Sequence, residues 1–256
     1  NNVKTFASVL MPGVQHMRHT HLDEHKFISG QPETGADRAD DLERIAMNFG
    51  PENIAACIVE PIAGSTGTLV PPKGYLQKLR ETCDKHGILL IFDEVITGWG
   101  RTGSSFASIE YGVTPDIMTM AKATTNGVVP MGVVACKDEI YDSVMDASPM
   151  GSVELFHGYT YSGIPVAVAA ALAVQDIFEK EDIFNRAKNL APYFQKGLFS
   201  LKDLDSVDNI RGYGMMGGID MKMDKKPGVA GFTCFKHCYD AGVNFKATGD
   251  CLIIAP

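Results

Sequence analysis

The 256-residue sequence lacks any run of eighteen or more apolar residues, and its longest apolar candidate, Ile164 to Val174, is too short to cross a bilayer. It also lacks a cluster of lysines and arginines, and 23 basic against 31 acidic residues give a formal net charge of -8. Nucleic acid and anionic membranes are therefore disfavoured as partners. Small molecules are the expected ligands.

A regular cysteine pattern is also missing. The six cysteines show no disulfide-framework spacing, and a chain of this length does not need disulfides for stability. A reducing, cytoplasmic setting is therefore expected. The sequence begins at Asn1 without a methionine or a leader segment, and it stops at Pro256 directly after an apolar run. We therefore expect both ends to be cuts in a longer protein.

Hydrophobic patterning predicts alternating helices and strands after an irregular stretch over residues 1–36. Continuous apolar strands separated by helices are typical of a parallel sheet covered on both faces, which is the α/β class. Helices are predicted from residue 40 to a stop at Gly50 and after Pro71-Pro72 to a stop at Gly87. Strands are predicted at 55–59, 88–92, 117–121 and 131–135.

A change in pattern near residue 165 predicts a second domain. Two long helices are expected, at Pro165 to Phe178 and at Ala187 to Leu198, and the tail from Val207 alternates short strand-like pieces with glycine-rich turns. The predicted division is the latter half of a large, mostly parallel domain over residues 1–164 and a small, truncated α+β domain over residues 165–256.

Charged residues follow three of the predicted strands. Glu60, Asp93 and Lys122 each stand at or just after the end of an apolar strand. Because ligands of open α/β sheets bind at the carboxyl ends of the strands, these side chains are expected to meet at one edge. On patterning alone, these residues could equally form a structural ion-pair cluster that closes the sheet edge.

The available chemistry favours a functional site. A lysine that is partly desolvated at the mouth of an apolar strand can act as an amine nucleophile, as a Schiff-base lysine must. A nearby carboxylate can keep a pyridine nitrogen protonated, which makes pyridoxal phosphate an electron sink. Lys122 and Asp93 are the candidates for these two tasks.

Four motifs occur in order along the chain and carry a family resemblance. Together they closely resemble the class III pyridoxal-phosphate aminotransferases, and within them the ω-amino acid:pyruvate (β-alanine:pyruvate) branch, over essentially the whole chain. Ordered motifs with matching gaps are far more specific than any one of them. The four strings are Val59-Glu60-Pro61-Ile62-Ala63-Gly64, Phe92-Asp93-Glu94-Val95-Ile96-Thr97-Gly98, Ala121-Lys122-Ala123-Thr124-Thr125-Asn126-Gly127 and His157-Gly158-Tyr159-Thr160-Tyr161-Ser162-Gly163.

The resemblance implies a fold type I transferase that binds pyridoxal 5'-phosphate, with a role for each matched residue. Lys122 would form the Schiff base and shuttle the proton. Asp93 would pair with the pyridinium nitrogen, Val95 would press on the ring, and Glu60 would support this group by hydrogen bonding. Thr160 would bind the phosphate of the cofactor held by the neighbouring subunit, so the resemblance also implies a homodimer with shared sites.

Two departures from the family pattern stand out. The glycine/serine loop that binds the cofactor phosphate and the aromatic residue that stacks on the ring would both lie upstream of residue 1. In the segment Phe245 to Asp250, Lys246 stands where relatives commonly carry an arginine that clamps the carboxylate of the acceptor. Lysine offers a point charge instead of a bidentate fork, so Lys246 is the expected but altered substrate contact.

The implied activity is transfer of an amino group from an ω-amino acid or amine to a keto acid such as pyruvate. One alternative keeps the scaffold and cofactor but makes the enzyme an aminomutase or decarboxylase. Another is a nicotinamide-dependent dehydrogenase that uses the glycine pattern Gly98 to Gly103, although no convincing helix follows it. A third is an inactive homologue or fragment.

A crowd of histidines, His16, His19, His21 and His25, is the one tempting metal pattern. No cysteine accompanies these residues, and their context indicates a solvated surface loop. No metal site is therefore expected.

Overall fold

The computed structural model of the protein describes residues 6–149, 159–223 and 226–256. Residues 6–39 are irregular, as predicted. This stretch contains only short 3-10 turns, at Ala7–Val9, Asp23–His25 and Ala36–Ala39. Every helix among the described residues is too short or too polar to span a bilayer.

The first sheet has four strands in the order β1-β2-β3-β4. The first three are parallel, as predicted, whereas β4 pairs with β3 in the antiparallel direction. Only a single 3-10 turn lies between β3 and β4, and a parallel return needs a longer crossover that usually contains a helix. The strands are β1 (Ala56–Val59), β2 (Leu89–Asp93), β3 (Ile117–Met120) and β4 (Val133–Cys136).

Helices cover one face of this sheet. The apolar side of α2 buries Leu76, Leu79 and Cys83 together with Leu90 and Phe92 of β2. The helices in this half of the chain are α1 (Asp40–Phe49), α2 (Tyr75–His86), α3 (Ala107–Tyr111) and α4 (Asp138–Asp146). Both predicted helix stops are confirmed, since Gly50 and Gly87 are the C-caps of α1 and α2.

Among the described residues, several side chains on the opposite face of the sheet are exposed. Ile58, Ile91, Thr119 and Val134 share that face by the strand register. Ile58 is 63% exposed and Val134 is 69% exposed. The described residues therefore do not cover both faces as expected, and Asp93 lies at the end of the exposed face.

The second half of the chain forms an antiparallel sheet in the order β5-β6-β8-β7. Its small core joins Leu198, Ile210, Ile219 and Leu252. The elements are α5 (Pro165–Lys180), α6 (Ile183–Phe199), β5 (Val207–Tyr213), β6 (Met216–Met221), α7 (Val229–Asp240), β7 (Lys246–Thr248) and β8 (Cys251–Ile254). The two long helices were predicted, and α6 begins four residues earlier than expected.

Candidate active site

Three parallel strands bring Glu60, Asp93 and Lys122 to one edge of the first sheet. Glu60 directly follows β1, Asp93 is the last residue of β2, and Lys122 comes two residues after β3. Parallel pairing of β1 with β2 and of β2 with β3 places these three strand ends side by side. The predicted meeting of two acids and one amine at this edge is present in the fold.

The electrostatics of Glu60 show which charges surround it. Burial raises the pKa of this carboxyl above its usual value, and the charge of Asp93 acts in the same direction. The backbone N–H of Gly64, which donates to Glu60 Oε2 at 2.9 Å, opposes that shift, as do the charges of Lys122 and Lys246. Glu60 therefore lies within electrostatic reach of both acid and amine partners.

Asp93 is held in place by its own turn. The side chain is half-buried, and the backbone N–H of Val95 donates to Asp93 Oδ1 at 3.0 Å. This bond fixes the carboxylate relative to the loop that leaves β2, and it puts Val95 next to the carboxylate. Asp93 is thus presented at the edge in a defined orientation.

Lys122 departs from expectation in two ways. Its side chain is exposed, so the predicted partial desolvation is wrong for this structure. Its backbone is left-handed, with φ of +50°, a conformation that costs a non-glycine residue about 1–2 kcal/mol. The amine is therefore accessible, and its backbone stores strain at the point where chemistry is predicted.

Two further predicted residues lie on other segments. Lys246 begins β7 of the second sheet, and its Nζ donates to Ser65 Oγ at 3.4 Å, in the loop after Glu60. The structure thus brings Lys246 to the first sheet's edge. Thr160 lies in the turn before α5 with its side chain exposed. The first two residues of its motif, at positions 157 and 158, lie outside the described residues.

Glu94, which follows Asp93, is a buried acid whose structural partners the patterning did not predict. Its side chain is fully buried, and it accepts bonds from the backbone N–H groups of Ala107 and Ser108, both at 2.7 Å, and from the Thr97 hydroxyl at 3.0 Å. Burial raises the pKa of this carboxyl, and these hydrogen bonds oppose the rise. A signal was available in the sequence, since an acid beside Asp93 at the end of a buried strand needs partners.

The glycine pattern at Gly98 to Gly103 does not have the setting of a dinucleotide loop. The next helix, α3, starts only at Ala107 and has five residues. Within the pattern, Arg101 Nη1 donates to the carbonyl of Ile96 at 3.1 Å, so the segment is a connection that folds back on itself. The dehydrogenase alternative lacks the strand-turn-helix context that it requires.

The histidines do not share one environment. His16 and His19 are exposed and His21 is half-buried, whereas His25 is only 3% exposed. The interpretation of His25 as solvated is wrong, because its ring Nδ1 accepts the Leu22 backbone N–H at 3.3 Å within a tight turn. Within residues 6–149, 159–223 and 226–256, no group of three or more potential ligands is arranged to hold a metal ion.

Comparison with known proteins adds to this geometry. The Aminotransferase class-III family matches residues 1–256. An omega-aminotransferase of Caulobacter vibrioides is 49% identical over 99% of this chain and 58% of its own length. A beta-alanine–pyruvate aminotransferase of Pseudomonas aeruginosa is 44% identical over 100% of this chain and 57% of its own length.

The chain therefore belongs to the class III aminotransferase family, as the motifs predicted. The solved omega transaminase of Pseudomonas jessenii in complex with PMP superposes with a TM-score of 0.84 at 31% identity, over 96% of this chain and 56% of that one. The fold type I assignment is thereby confirmed. The chain spans a little under three fifths of the length of these curated relatives.

Proposed function

We propose that the complete protein is a pyridoxal-phosphate-dependent transaminase that moves an amino group from an ω-amino acid or amine to a keto acid such as pyruvate. The observation that carries the proposal is the meeting of Glu60, Asp93 and Lys122 at one sheet edge in a chain of this family. Relatives that are named for beta-alanine and pyruvate support the choice of donor and acceptor.

The side chains at the edge fit this cofactor. Asp93 offers an oriented carboxylate, and Lys122 offers an exposed amine. We assign Lys122 to hold the cofactor and to move a proton at its Nζ, Asp93 to keep a proton on the ring nitrogen, and Val95 to pack against the ring. When bound, the cofactor supplies an electron sink for breaking a bond at the amino-bearing carbon of the substrate.

Glu60 is assigned a supporting role. Its carboxylate already accepts the Gly64 backbone N–H, which shapes the loop that leaves β1. A half-buried acid in reach of Asp93 and Lys122 can accept or donate a further hydrogen bond near the cofactor without taking part in the proton transfer.

Lys246 is assigned to the carboxylate of the substrate. It is exposed, it lies near the Glu60 loop, and its ammonium group provides a single positive charge there. A lysine recognises a carboxylate as a point charge and does not form the two parallel bonds of a guanidinium. We therefore propose weaker and less directional clamping of the keto acid than an arginine would give.

The assembly is proposed to be a homodimer with shared sites. Helix α5 is apolar on several sides, yet Val166, Leu172 and Ile177 are between 48% and 63% exposed in the single chain. Apolar surface of this kind is typical of a subunit interface. Thr160, exposed just before α5, is assigned to the phosphate of the cofactor held by the other subunit.

Two further proposals concern organisation and location. We propose that residues 1–164 form the latter half of the large domain and residues 165–256 most of the small one, because each half contains its own sheet. We also propose a cytoplasmic location, because all six cysteines are free thiols.

The test is formation of alanine from pyruvate by the complete protein supplied with pyridoxal phosphate and beta-alanine. Wild type and Lys202→Ala, which changes an exposed lysine, are expected to form alanine at equal rates. Lys122→Ala is expected to form none while it remains folded. Consumption of the amine without pyruvate would instead indicate an aminomutase or decarboxylase, and normal turnover by Lys122→Ala would disprove the proposal.

A further inference from the structure

The left-handed backbone of Lys122 needs an explanation, because glycine is the residue that adopts this conformation readily. A strained conformation persists only where its surroundings fix it. The question is therefore which contacts hold residues 121–124 in this turn.

Two hydrogen bonds that share the Thr124 hydroxyl link Trp99 to Ala121, the residue before Lys122; we call this pair of bonds the relay. The indole Nε1–H of Trp99 donates to Thr124 Oγ1 at 3.0 Å, and the same hydroxyl donates to the carbonyl of Ala121 at 3.0 Å. Thr124 is 3% exposed, so both bonds are shielded from water. The hydroxyl acts once as acceptor and once as donor, and it adds to the backbone bond that Thr124 N–H donates to the same Ala121 carbonyl at 3.1 Å.

Trp99 is itself immobilised. Its ring packs against Phe106 and Phe178, with centroids 5.0 and 5.9 Å away, and its backbone N–H donates to the carbonyl of Ser105 at 2.6 Å. Trp99 lies on the connection that leaves β2, the strand that ends at Asp93. The relay therefore joins the segment that follows Asp93 to the turn that presents Lys122.

We infer that Trp99 and Thr124 are positioning residues that hold the Lys122 turn in register with Asp93. The expected effect on kcat rests on the proposed function. The mechanical part, which is that the relay holds the Lys122 turn, rests only on contacts within this chain. Neither residue touches the reacting atoms, and both act through the backbone of Lys122. The relay sets where the amine stands relative to the carboxylate.

Three variants of the complete protein test the relay. Thr124→Val removes both bonds at nearly constant volume, Trp99→Phe removes the N–H donor and keeps an aromatic ring, and Thr124→Ser keeps the hydroxyl as the matched control. Without cofactor, amide hydrogen exchange of residues 122–128 should accelerate about five-fold in Trp99→Phe, the effect of losing one hydrogen bond, and further in Thr124→Val, which loses two. Thr124→Ser should match wild type.

With pyridoxal phosphate, kcat should fall about ten-fold in Thr124→Val and Trp99→Phe, since misplacing a reacting group by a fraction of an ångström has effects of this order. KM should stay within about two-fold, and the pH midpoint of the visible spectrum of the bound cofactor should shift. Unchanged exchange, or unchanged kcat and spectrum, would overturn the inference. If wild type lacks transaminase activity the proposed function fails, and the exchange data still decide the mechanical part.

Discussion

Two groups of charged residues in this molecule differ in burial and in how far their hydrogen bonds are satisfied. At the contact between the two sheets, Arg211 is 5% exposed and its donors are used, by both carboxylate oxygens of Asp220 and by the carbonyl of Gly67 at 2.6 Å. At the carboxyl edge of the first sheet, Lys122 is exposed and strained, and Glu60 is held by one backbone N–H.

We propose that this difference separates structural charges from functional ones. Buried charges that satisfy one another stabilise the fold only through their pairing, and breaking the pair is costly. Charges that meet at a strand edge without satisfying one another stay available for a ligand.

The largest expected effect is at the carboxyl edge of the first sheet. Asp93→Asn can still accept the Val95 backbone N–H, so its turn should remain folded. An amide cannot keep a proton on the cofactor's ring nitrogen, and kcat should fall about 10³-fold, within the range of lost acid-base assistance. Steady-state alanine formation measures this change, with Asp205→Asn, an exposed acid, as the matched control. Full activity in Asp93→Asn would place Asp93 among the structural charges.

The next largest effect is at the contact between the sheets. Arg211→Met leaves Asp220 and the Gly67 carbonyl without their partner and should lower the free energy of unfolding by about 3 kcal/mol. Urea unfolding measures it. Lys26→Met, which breaks an ion pair to Asp208 that is exposed on both sides, is the control and should leave the midpoint unchanged. Equal urea midpoints in Arg211→Met and Lys26→Met would show that the buried pair stabilises the fold no more than an exposed pair does.

A smaller effect concerns a satisfied acid in α1. Asp41 is 2% exposed and accepts from both the side chain and the backbone N–H of Arg18, which lowers its pKa from 3.8 to about 2. A lowered pKa gives stability that is present above pH 3.8 and lost as the pH falls towards 2. Asp41→Asn should lower the free energy of unfolding by about 2 kcal/mol at neutral pH. Urea titrations at several pH values should also show that the free energy of unfolding of Asp41→Asn changes less between pH 2 and 4 than that of wild type. An unchanged pH dependence would contradict the lowered pKa of Asp41.

The smallest effect is at Lys246. This residue lies in β7 of the second sheet, and its side chain contacts Ser65 in the loop at the first sheet's edge. Lys246→Arg supplies a bidentate fork for a carboxylate and should lower the KM for pyruvate about three-fold with little change in kcat. Lys246→Met should raise that KM. Initial rates over a range of pyruvate concentrations distinguish these results from a structural role, which would leave the KM unchanged in both.

The sequence predicted local elements and their meeting point well. Strands β1 to β3 and helix α2 lie within a residue or a few of their expected positions, because apolar runs and glycine stops are local signals. The convergence at Glu60, Asp93 and Lys122 followed from parallel pairing alone. The motifs added the family, which the comparisons confirmed.

The remaining features depend on contacts that patterning cannot show. The bond from Arg211 to Gly67 joins positions 144 residues apart, and the Trp99–Thr124 bond spans 25. The left-handed turn at Lys122 leaves no trace in composition, because the residue there is not glycine. The buried state of His25 depends on its own turn, and the direction of β4 on the length of the preceding connection.

The most direct test of the central claim is borohydride reduction of the complete protein after incubation with pyridoxal phosphate, followed by peptide mapping of the modified lysine. A pyridoxyl group is expected on Lys122, with a lower yield in Asp93→Asn. A folded protein in which Lys122 stays unmodified would contradict it and would make the charged edge of the first sheet a structural feature.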